Sequence, residues 1–291
     1  MITAKLHSIE TFGAVDGPGI RTTVFMMGCS LKCRWCHNPE GLNSKLLLQY
    51  NAKDCLYCKM CEKVCTQNVH QFINEKHIVH FDRCILCQKC IDICPSNAVS
   101  INGKEYSAEE LSNLVAKDNL FYKNNGGVTF SGGECLLQAD FVRECARMCK
   151  EKGVPTVTID TAGNVPWQAF EKVLPYTDYF LYDVKAYSET CHRIGTGQSN
   201  ERILENLRKL DQQGKKIYIR IPLIPTVNDS VEEVKGIAQL ISTLENVVEV
   251  RVLPYHTFGR EKYEMLGYEE VELFSSPSDE EVAKFQQLFN R

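Results

Sequence analysis

The sequence predicts an α/β protein whose main domain is an open, partial (βα)6 barrel. Short β-branched runs alternate with amphipathic helical patterns along most of the chain, which is typical of repeated βα units around a parallel sheet. Six such units are expected, whereas a full barrel needs eight. We therefore expect the parallel sheet to stay open on one side.

The clearest helices have start and stop signals of their own. Two capping boxes, in which a serine precedes a glutamate by three residues, start helices at Ser107 and Ser278. A third helix, with apolar residues in register over 203–210, is expected to stop at Gly214. The six strands are expected at 22–27, 128–130, 156–159, 179–182, 217–221 and 248–253.

Composition and charge exclude several classes of protein. The 291 residues include 33 lysines and arginines against 37 acidic residues, a formal charge of -4 without long runs. Neither nucleic acid nor an anionic membrane is therefore an expected partner. No apolar stretch has the length of a membrane helix, and the first residues lack the apolar core of a signal peptide. We expect a cytoplasmic monomer.

Eight of the 15 cysteines form two matched runs. The pattern CxxCxxCxxxC begins at Cys55 and again 29 residues later at Cys84, and without an export signal such cysteines are expected to be ligands. The runs resemble two-cluster bacterial ferredoxins, in which the last cysteine of each run binds the other cluster. The two expected 4Fe-4S ligand sets are Cys55, Cys58, Cys61 and Cys94, and Cys65, Cys84, Cys87 and Cys90.

The matched runs also set the expected domain boundaries. Residues 46–104 would form the ferredoxin-like insert, and residues 1–45 and 105–291 would form the partial barrel. Structural zinc, bound by pairs of CxxC thiolates, is the alternative for the insert. Zinc gives no reason for the third evenly spaced cysteine in each run.

Three further cysteines form the pattern CxxxCxxC at Cys29, Cys33 and Cys36. Three ligands leave one iron of a 4Fe-4S cluster open, and an open iron can chelate the amino and carboxylate groups of S-adenosylmethionine (SAM). At this point the sequence resembles the radical SAM superfamily. Loose zinc ligation, or thiols that are simply buried, is the alternative for this pattern alone.

The segments around the three cysteines resemble one family within that superfamily, the glycyl radical enzyme activating enzymes. They are VDGPGIRTTVF, CHNPEG, SGGE, IDTAG, LYDVK and LPYHTFG. The resemblance implies a radical SAM oxidoreductase with three 4Fe-4S clusters. It would cleave SAM to methionine and a 5′-deoxyadenosyl radical, which abstracts a hydrogen atom from a backbone glycine of a partner glycyl radical enzyme. Reduced flavodoxin or ferredoxin is the expected electron donor.

The resemblance also implies which residues contact SAM. The loop Ser131, Gly132, Gly133 and Glu134 would hold the methionyl amino group, although alone it is an ordinary strand-to-helix turn. The family usually has proline where this chain has Cys135. Asp183, Val184 and Lys185 would contact the ribose and carboxylate, with a solvated strand end as the alternative.

Other contacts are expected around the same ligand. Trp35 and His37 would border SAM, Asn38 would order the loop, and His256 would lie at the adenosyl end unless it is satisfied within its own loop. Arg220 would pair with a carboxylate near the reacting centre or form a salt bridge at the barrel rim.

Two more sites follow from the resemblance. A monovalent cation would be held by Asp160, Thr161, Asp183 and the carbonyl of Leu181, because two carboxylates near a ligand carboxylate repel one another without a cation. Asp16 and Arg21, around a tight DGPG turn, would contact the peptide that bears the glycine.

Two rival functions stay open at this stage. One is a non-catalytic ferredoxin-like electron carrier with a degenerate barrel, and the other is a radical SAM enzyme that acts on a small molecule or a nucleotide. Among the remaining cysteines, Cys145 and Cys149 are expected to be small core residues, while Cys135 and Cys191 have no assigned role.

Overall fold

The computed structural model describes residues 2–268, 272 and 274–289. The strands are β1 (Thr3–Gly13), β2 (Arg21–Met26), β3 (Leu48–Tyr50), β4 (His70–Ile73), β5 (Lys76–Val79), β6 (Val99–Ile101), β7 (Lys104–Ser107), β8 (Gly127–Gly132), β9 (Thr156–Thr161), β10 (Tyr179–Asp183), β11 (Lys216–Leu223) and β12 (Val247–Pro254).

The helices connect and cover these strands. They are α1 (Met60–Val64), α2 (Lys89–Asp92), α3 (Ala108–Ala116), α4 (Asn119–Tyr122), α5 (Ala139–Glu151), α6 (Trp167–Val173), α7 (Glu189–Thr196), α8 (Glu201–Gln212), α9 (Val231–Ser242), α10 (Arg260–Met265) and α11 (Asp279–Gln287).

A sheet of eight strands, in the order β12-β11-β10-β9-β8-β2-β1-β7, forms the centre of the molecule. The six strands from β12 to β2 are parallel, and they are the six that the sequence predicts. The strands β1 and β7 extend the sheet in antiparallel pairing and were not foreseen.

The predicted helix signals are confirmed. Ser107 and Ser278 cap α3 and α11, and in each case the glutamate three residues later bonds back to the serine. The helix α8 ends at Gln212, and Gly214 follows with a φ of 66°, the left-handed conformation that glycine adopts without steric cost.

The main hydrophobic core lies between the sheet and its helices. Phe130, Phe170 and Phe180 are fully buried in it. Cys145 and Cys149 of α5 are fully buried there too, which confirms that they are small core residues.

Residues 48–101 form a separate part of the fold with a repeated backbone. The strand β3 pairs with β6, and β4 pairs with β5, both antiparallel. Left-handed φ angles occur at Tyr57, Lys59 and Asn68 and recur 29 residues later at Leu86, Gln88 and Asn97. The two halves of this segment therefore have the same local conformation, as the duplicated cysteine pattern predicts.

The described residues contain no helix that is long and apolar enough to cross a membrane.

Candidate cofactor-binding site

A cavity of about 280 Å³ lies at the carboxyl ends of the parallel strands. Phe25 of β2 and Leu253 of β12 both line it, although these two strands are the first and last of the six parallel strands in the sheet. The predicted site residues that line it are Asp16, Cys29, Cys33, Trp35, Cys36, His37, Asn38, Ser131, Gly132, Gly133, Asp160, Thr161, Asp183, Lys185 and Arg220.

The loop with Cys29, Cys33 and Cys36 is held in place by backbone hydrogen bonds to the end of α7. The amide of Lys32 donates to the carbonyl of Thr196 at 2.9 Å, and the amide of Arg34 donates to that of Gly195 at 3.0 Å. A side chain at Gly195 would lie 2.5 Å from the ring of Trp35. Only glycine there allows this ring to pack beside the cysteines.

The helix α10 fixes the other end of the loop. The hydroxyl of Tyr263 donates to the carbonyl of Cys36 at 3.0 Å, and the ammonium of Lys262 lies 3.1 Å from the side-chain oxygen of Asn38. Lys262 also pairs with Glu40 at 3.0 Å. Sequence reasoning missed Tyr263 and Lys262, because no motif marks them.

The three thiols are suited to hold a metal cluster. Burial raises the pKa of Cys29 to about 11 and that of Cys33 to about 12, and it raises the pKa of Cys36 too. The thiols therefore keep their protons at neutral pH unless a metal displaces them. All three face one cavity, and soft thiolates are the ligands of iron-sulfur clusters. The donor set fits a cluster with three protein ligands.

The two glycines after β8 allow close packing against this loop. A side chain at Gly133 would lie 2.3 Å from the carbonyl oxygens of both Gly28 and Gly41. At Gly132, where φ is 113°, it would lie 2.1 Å from the backbone nitrogen of Met26. The SGGE segment thus brings its backbone against the base of the cysteine loop.

Glu134 turns away from the cavity. It is 1% exposed and accepts hydrogen bonds from the hydroxyl of Thr161, at 2.8 and 2.9 Å, and from the amide of Ala162 at 3.1 Å. Burial raises the pKa of Glu134 to about 7. Of the described residues predicted for SAM or cation binding, Glu134, Leu181, Val184 and His256 do not line the cavity.

Four charged side chains form a buried network on one wall. The guanidinium of Arg220 bonds to Asp160 and, at 2.9 Å, to Asp183, whose other oxygen accepts from Lys185 at 2.8 Å. The hydroxyl of Ser131 donates to Asp160 at 2.6 Å. Burial alone would raise the pKa of Asp183, but Arg220 and Lys185 outweigh it and lower this pKa to about 2.

The network bears on the expected cation. Two cations already balance the two carboxylates, so repulsion between Asp160 and Asp183 is relieved by Arg220. Leu181 lies opposite Asp160 in the register of β9 and β10. The cation itself stays a prediction.

His37 and His256 lie next to each other at the edge of the cavity. Their ring centroids are 3.8 Å apart in an edge-on arrangement. Nε2 of His37 and Nδ1 of His256 are buried without a hydrogen-bond partner in the described part of the chain. Burial lowers the pKa of His37 to about 4, so this imidazole is neutral at pH 7.

The two residues expected to contact a peptide differ in their surroundings. Asp16 lines the cavity and accepts a hydrogen bond from Thr23 at 2.9 Å. Arg21 is fully buried, and its guanidinium donates to Thr129 at 2.7 Å and to the carbonyl of Val128 at 2.7 Å. Since these bonds hold Arg21 inside the protein, the expectation that it contacts a peptide needs correction.

The duplicated segment brings its cysteines together around a small second cavity. Cys65 lines this cavity with Cys84, Cys87 and Cys90, although it belongs to the other run. His70 also lines it. This is the crossed grouping that the ferredoxin resemblance implies.

The first run has two histidines beside its thiols, which sequence reasoning missed. Nδ1 of His77 lies 3.5 Å from Sγ of Cys55, and Nε2 lies 3.8 Å from Sγ of Cys61. Nδ1 of His70 lies 3.0 Å from Nε2 of His77. Burial lowers the pKa of both histidines, that of His77 to about 4.

Fold and site together define a radical SAM protein. Residues 23–241 match the family model for the Radical SAM superfamily, and the chain belongs to it. Members of this superfamily bind a 4Fe-4S cluster and SAM. A domain of a pyruvate-formate lyase-activating enzyme from Bacteroides vulgatus is similar in structure, with a TM-score of 0.48 and 29% identity over 56% of this chain and 92% of that one.

Curated relatives narrow the class to one family. A trans-4-hydroxy-L-proline dehydratase activating enzyme from Clostridioides difficile is 41% identical, over 94% of this chain and 92% of the relative. An isethionate sulfite-lyase activating enzyme from Oleidesulfovibrio alaskensis is 38% identical, over 91% and 87%. Within the superfamily the chain therefore belongs to the activating enzymes of glycyl radical enzymes, which favours that function over both rivals.

Proposed function

We propose that this protein activates a glycyl radical enzyme from a partial (βα)6 barrel with three buried thiols at its carboxyl rim. When bound, a cluster and SAM supply the chemistry: one electron splits SAM into methionine and a 5′-deoxyadenosyl radical, which takes a hydrogen atom from a partner's glycine. The convergence of Cys29, Cys33 and Cys36 on one cavity carries the proposal. Residues of the first and sixth parallel strands line that cavity, which supports a curved sheet.

The other residues of the cavity bind and orient the ligand. Lys185 and Arg220 offer positive charge to the methionyl carboxylate, and the backbone at Gly132 and Gly133 lies open to the amino group. Trp35 and His37 cover the side next to the cysteines and exclude water. The protein thus positions its ligand and needs no proton-transfer pair.

We also propose that the insert, residues 46–104, holds two more 4Fe-4S clusters. Cys65 lies with Cys84, Cys87 and Cys90 around one cavity. The backbone repeats after 29 residues, so the equivalent grouping places Cys94 with Cys55, Cys58 and Cys61. Reduced flavodoxin or ferredoxin would deliver electrons to a monomeric activase.

An anaerobic assay tests the proposed reaction. Reconstituted protein, dithionite, SAM and a peptide that copies a glycyl radical loop should yield 5′-deoxyadenosine, measured by chromatography. Cys33→Ala removes one cluster ligand, so its yield should fall to background. Cys149→Ala, a change in the buried core, is the matched control and should keep the yield. Equal yields from wild type and Cys33→Ala would contradict the proposal.

A further inference from the structure

The two halves of the insert differ at one pair of equivalent positions. His77 on β5 and Leu48 on β3 correspond under the 29-residue repeat, and each pairs with the equivalent residue of its partner strand, Phe72 or Ile101. Leu48 lines the cavity of the Cys65, Cys84, Cys87 and Cys90 set. His77 lies against the other set, at 3.5 Å from Cys55. One half thus has an imidazole where the other has an aliphatic side chain.

The imidazole of His77 has a fixed orientation. Phe72 stacks on it with ring centroids 4.2 Å apart, and Tyr50 meets it edge-on at 4.5 Å. His70, which is 1% exposed, contacts it through the 3.0 Å bond between Nδ1 of His70 and Nε2 of His77. The ring therefore keeps Nδ1 directed at Cys55.

The hydrogen bonds of the pair assign the protons. A neutral imidazole has one N–H, so two neutral rings that share one hydrogen bond have a single N–H left to donate. Nε2 of His70 is buried without a partner in the described part of the chain, which is where the unprotonated nitrogen belongs. His70 then donates to Nε2 of His77, and the remaining N–H, on Nδ1 of His77, faces the sulfur of Cys55.

We propose that His77 donates a hydrogen bond to the Cys55 thiolate, that His70 orients it, and that this bond sets the two insert clusters at different reduction potentials. The inference deepens the proposed function, because it rests on the presence of both clusters. His77 and His70 are positioning residues and do not bind iron.

The direction of the effect follows from electrostatics. Reduction adds negative charge to a cluster and its thiolates, and an N–H directed at a sulfur stabilises that charge, so it raises the potential. Around the other set, the described hydrogen bonds to cysteine sulfur from Val69 and Leu86 come from backbone amides, at 3.4 Å each. The cluster at Cys55 is therefore the more easily reduced of the two as far as this side chain decides.

A potentiometric titration followed by electron paramagnetic resonance tests the inference. His77→Leu copies the side chain of Leu48 onto the equivalent position and removes the N–H. We expect one insert cluster to become about tenfold harder to reduce, a shift of about 59 mV to lower potential for one electron. The other two clusters should keep their potentials.

Two further variants separate the hydrogen bond from simple packing. His77→Asn keeps an N–H near the position of Nδ1 and should retain most of the potential. His80→Leu is the matched control, since His80 lies just after β5 but bonds to Gln71 at 3.0 Å. If His77→Leu loses iron, His77→Phe keeps the ring packing and replaces it in the comparison.

Iron content distinguishes failure of this inference from failure of the proposed function. About 12 iron atoms per wild-type chain, four for each cluster, together with equal potentials in wild type and His77→Leu, would overturn the inference alone. About 4 iron atoms would overturn the three-cluster proposal and this inference with it. One zinc ion with no more than about 8 iron atoms would point to a single metal at Cys61, His70 and His77, whose ligand atoms lie within 4.8 Å, and would also overturn it.

Discussion

Arg220 connects two acidic strand ends that would otherwise repel each other. It bonds to Asp160 of β9 and to Asp183 of β10, and all three side chains are largely buried. The pKa of Asp183 in the folded protein is about 2, below the value of about 3.9 in an unfolded chain. Its ionised form therefore stabilises the fold above that unfolded value, and this contribution is lost as pH falls toward 2.

Replacement of Arg220 by glutamine should destabilise the protein. The change leaves two buried carboxylates without their shared cation, and loss of one partner from a buried ion pair costs about 3–5 kcal/mol. Urea unfolding of the metal-free protein measures this cost. Arg251→Gln removes the exposed pair with Glu249 and should cost less than about 1 kcal/mol. Equal stabilities of the two variants would contradict the role given to Arg220.

The network also predicts an acid dependence. Without Arg220 the pKa of Asp183 should rise, so the stability difference between wild type and Arg220→Gln should shrink as pH is lowered from 5 toward 2. Urea unfolding across this range provides the measurement. A difference that stays constant with pH would mean that Arg220 acts through packing alone.

The candidate site could be predicted only where residue type and spacing imply chemistry. The cysteines and the charged residues at strand ends are of this kind, since parallel strands bring their carboxyl ends to one rim. His70 and His77 carry no such signal, because they reach the thiols through hairpin pairing that the sequence does not display. The burial of Arg21 was missed for a similar reason.

At the scale of elements, the parallel strands were easier to predict than the antiparallel ones. The six parallel strands are buried on both faces, so they read as apolar runs, and their bounds differ from expectation by only a few residues. The strands β1 and β7 are partly exposed and mix polar with apolar residues. Such edge positions give weak patterns, and both strands were missed.

The contact between the turn after β8 and the cysteine loop should tolerate no side chain. In Gly133→Ala the added carbon would lie 2.3 Å from two backbone carbonyl oxygens, so the loop must shift. We expect a loss of about 1–3 kcal/mol in unfolding free energy and a weaker hold on the SAM-bound cluster. In Gly13→Ala, the control, the nearest atoms lie 3.7 Å away. Similar iron content and stability in both variants would argue against this packing.

At the scale of the whole molecule, the chain has two hydrophobic cores of different character. The barrel core is large and consists mainly of aliphatic and aromatic side chains. The core of the insert is small, and six of its cysteines, all proposed cluster ligands, belong to it or pack against it. A core of that size gives little stability of its own, so the insert should depend on its metals.

Removal of iron should therefore unfold the insert before the barrel. In the metal-free protein, the pairing of β3 with β6 and of β4 with β5 loses the cross-links that the clusters provide, whereas the sheet from β12 to β7 keeps its buried core. Limited proteolysis with mass spectrometry should find the early cuts within residues 46–104 after anaerobic chelation, and few cuts there in the loaded protein. Early cuts spread evenly over the chain would show that both parts depend on the metals, because a barrel stabilised by its own core resists protease while the insert opens.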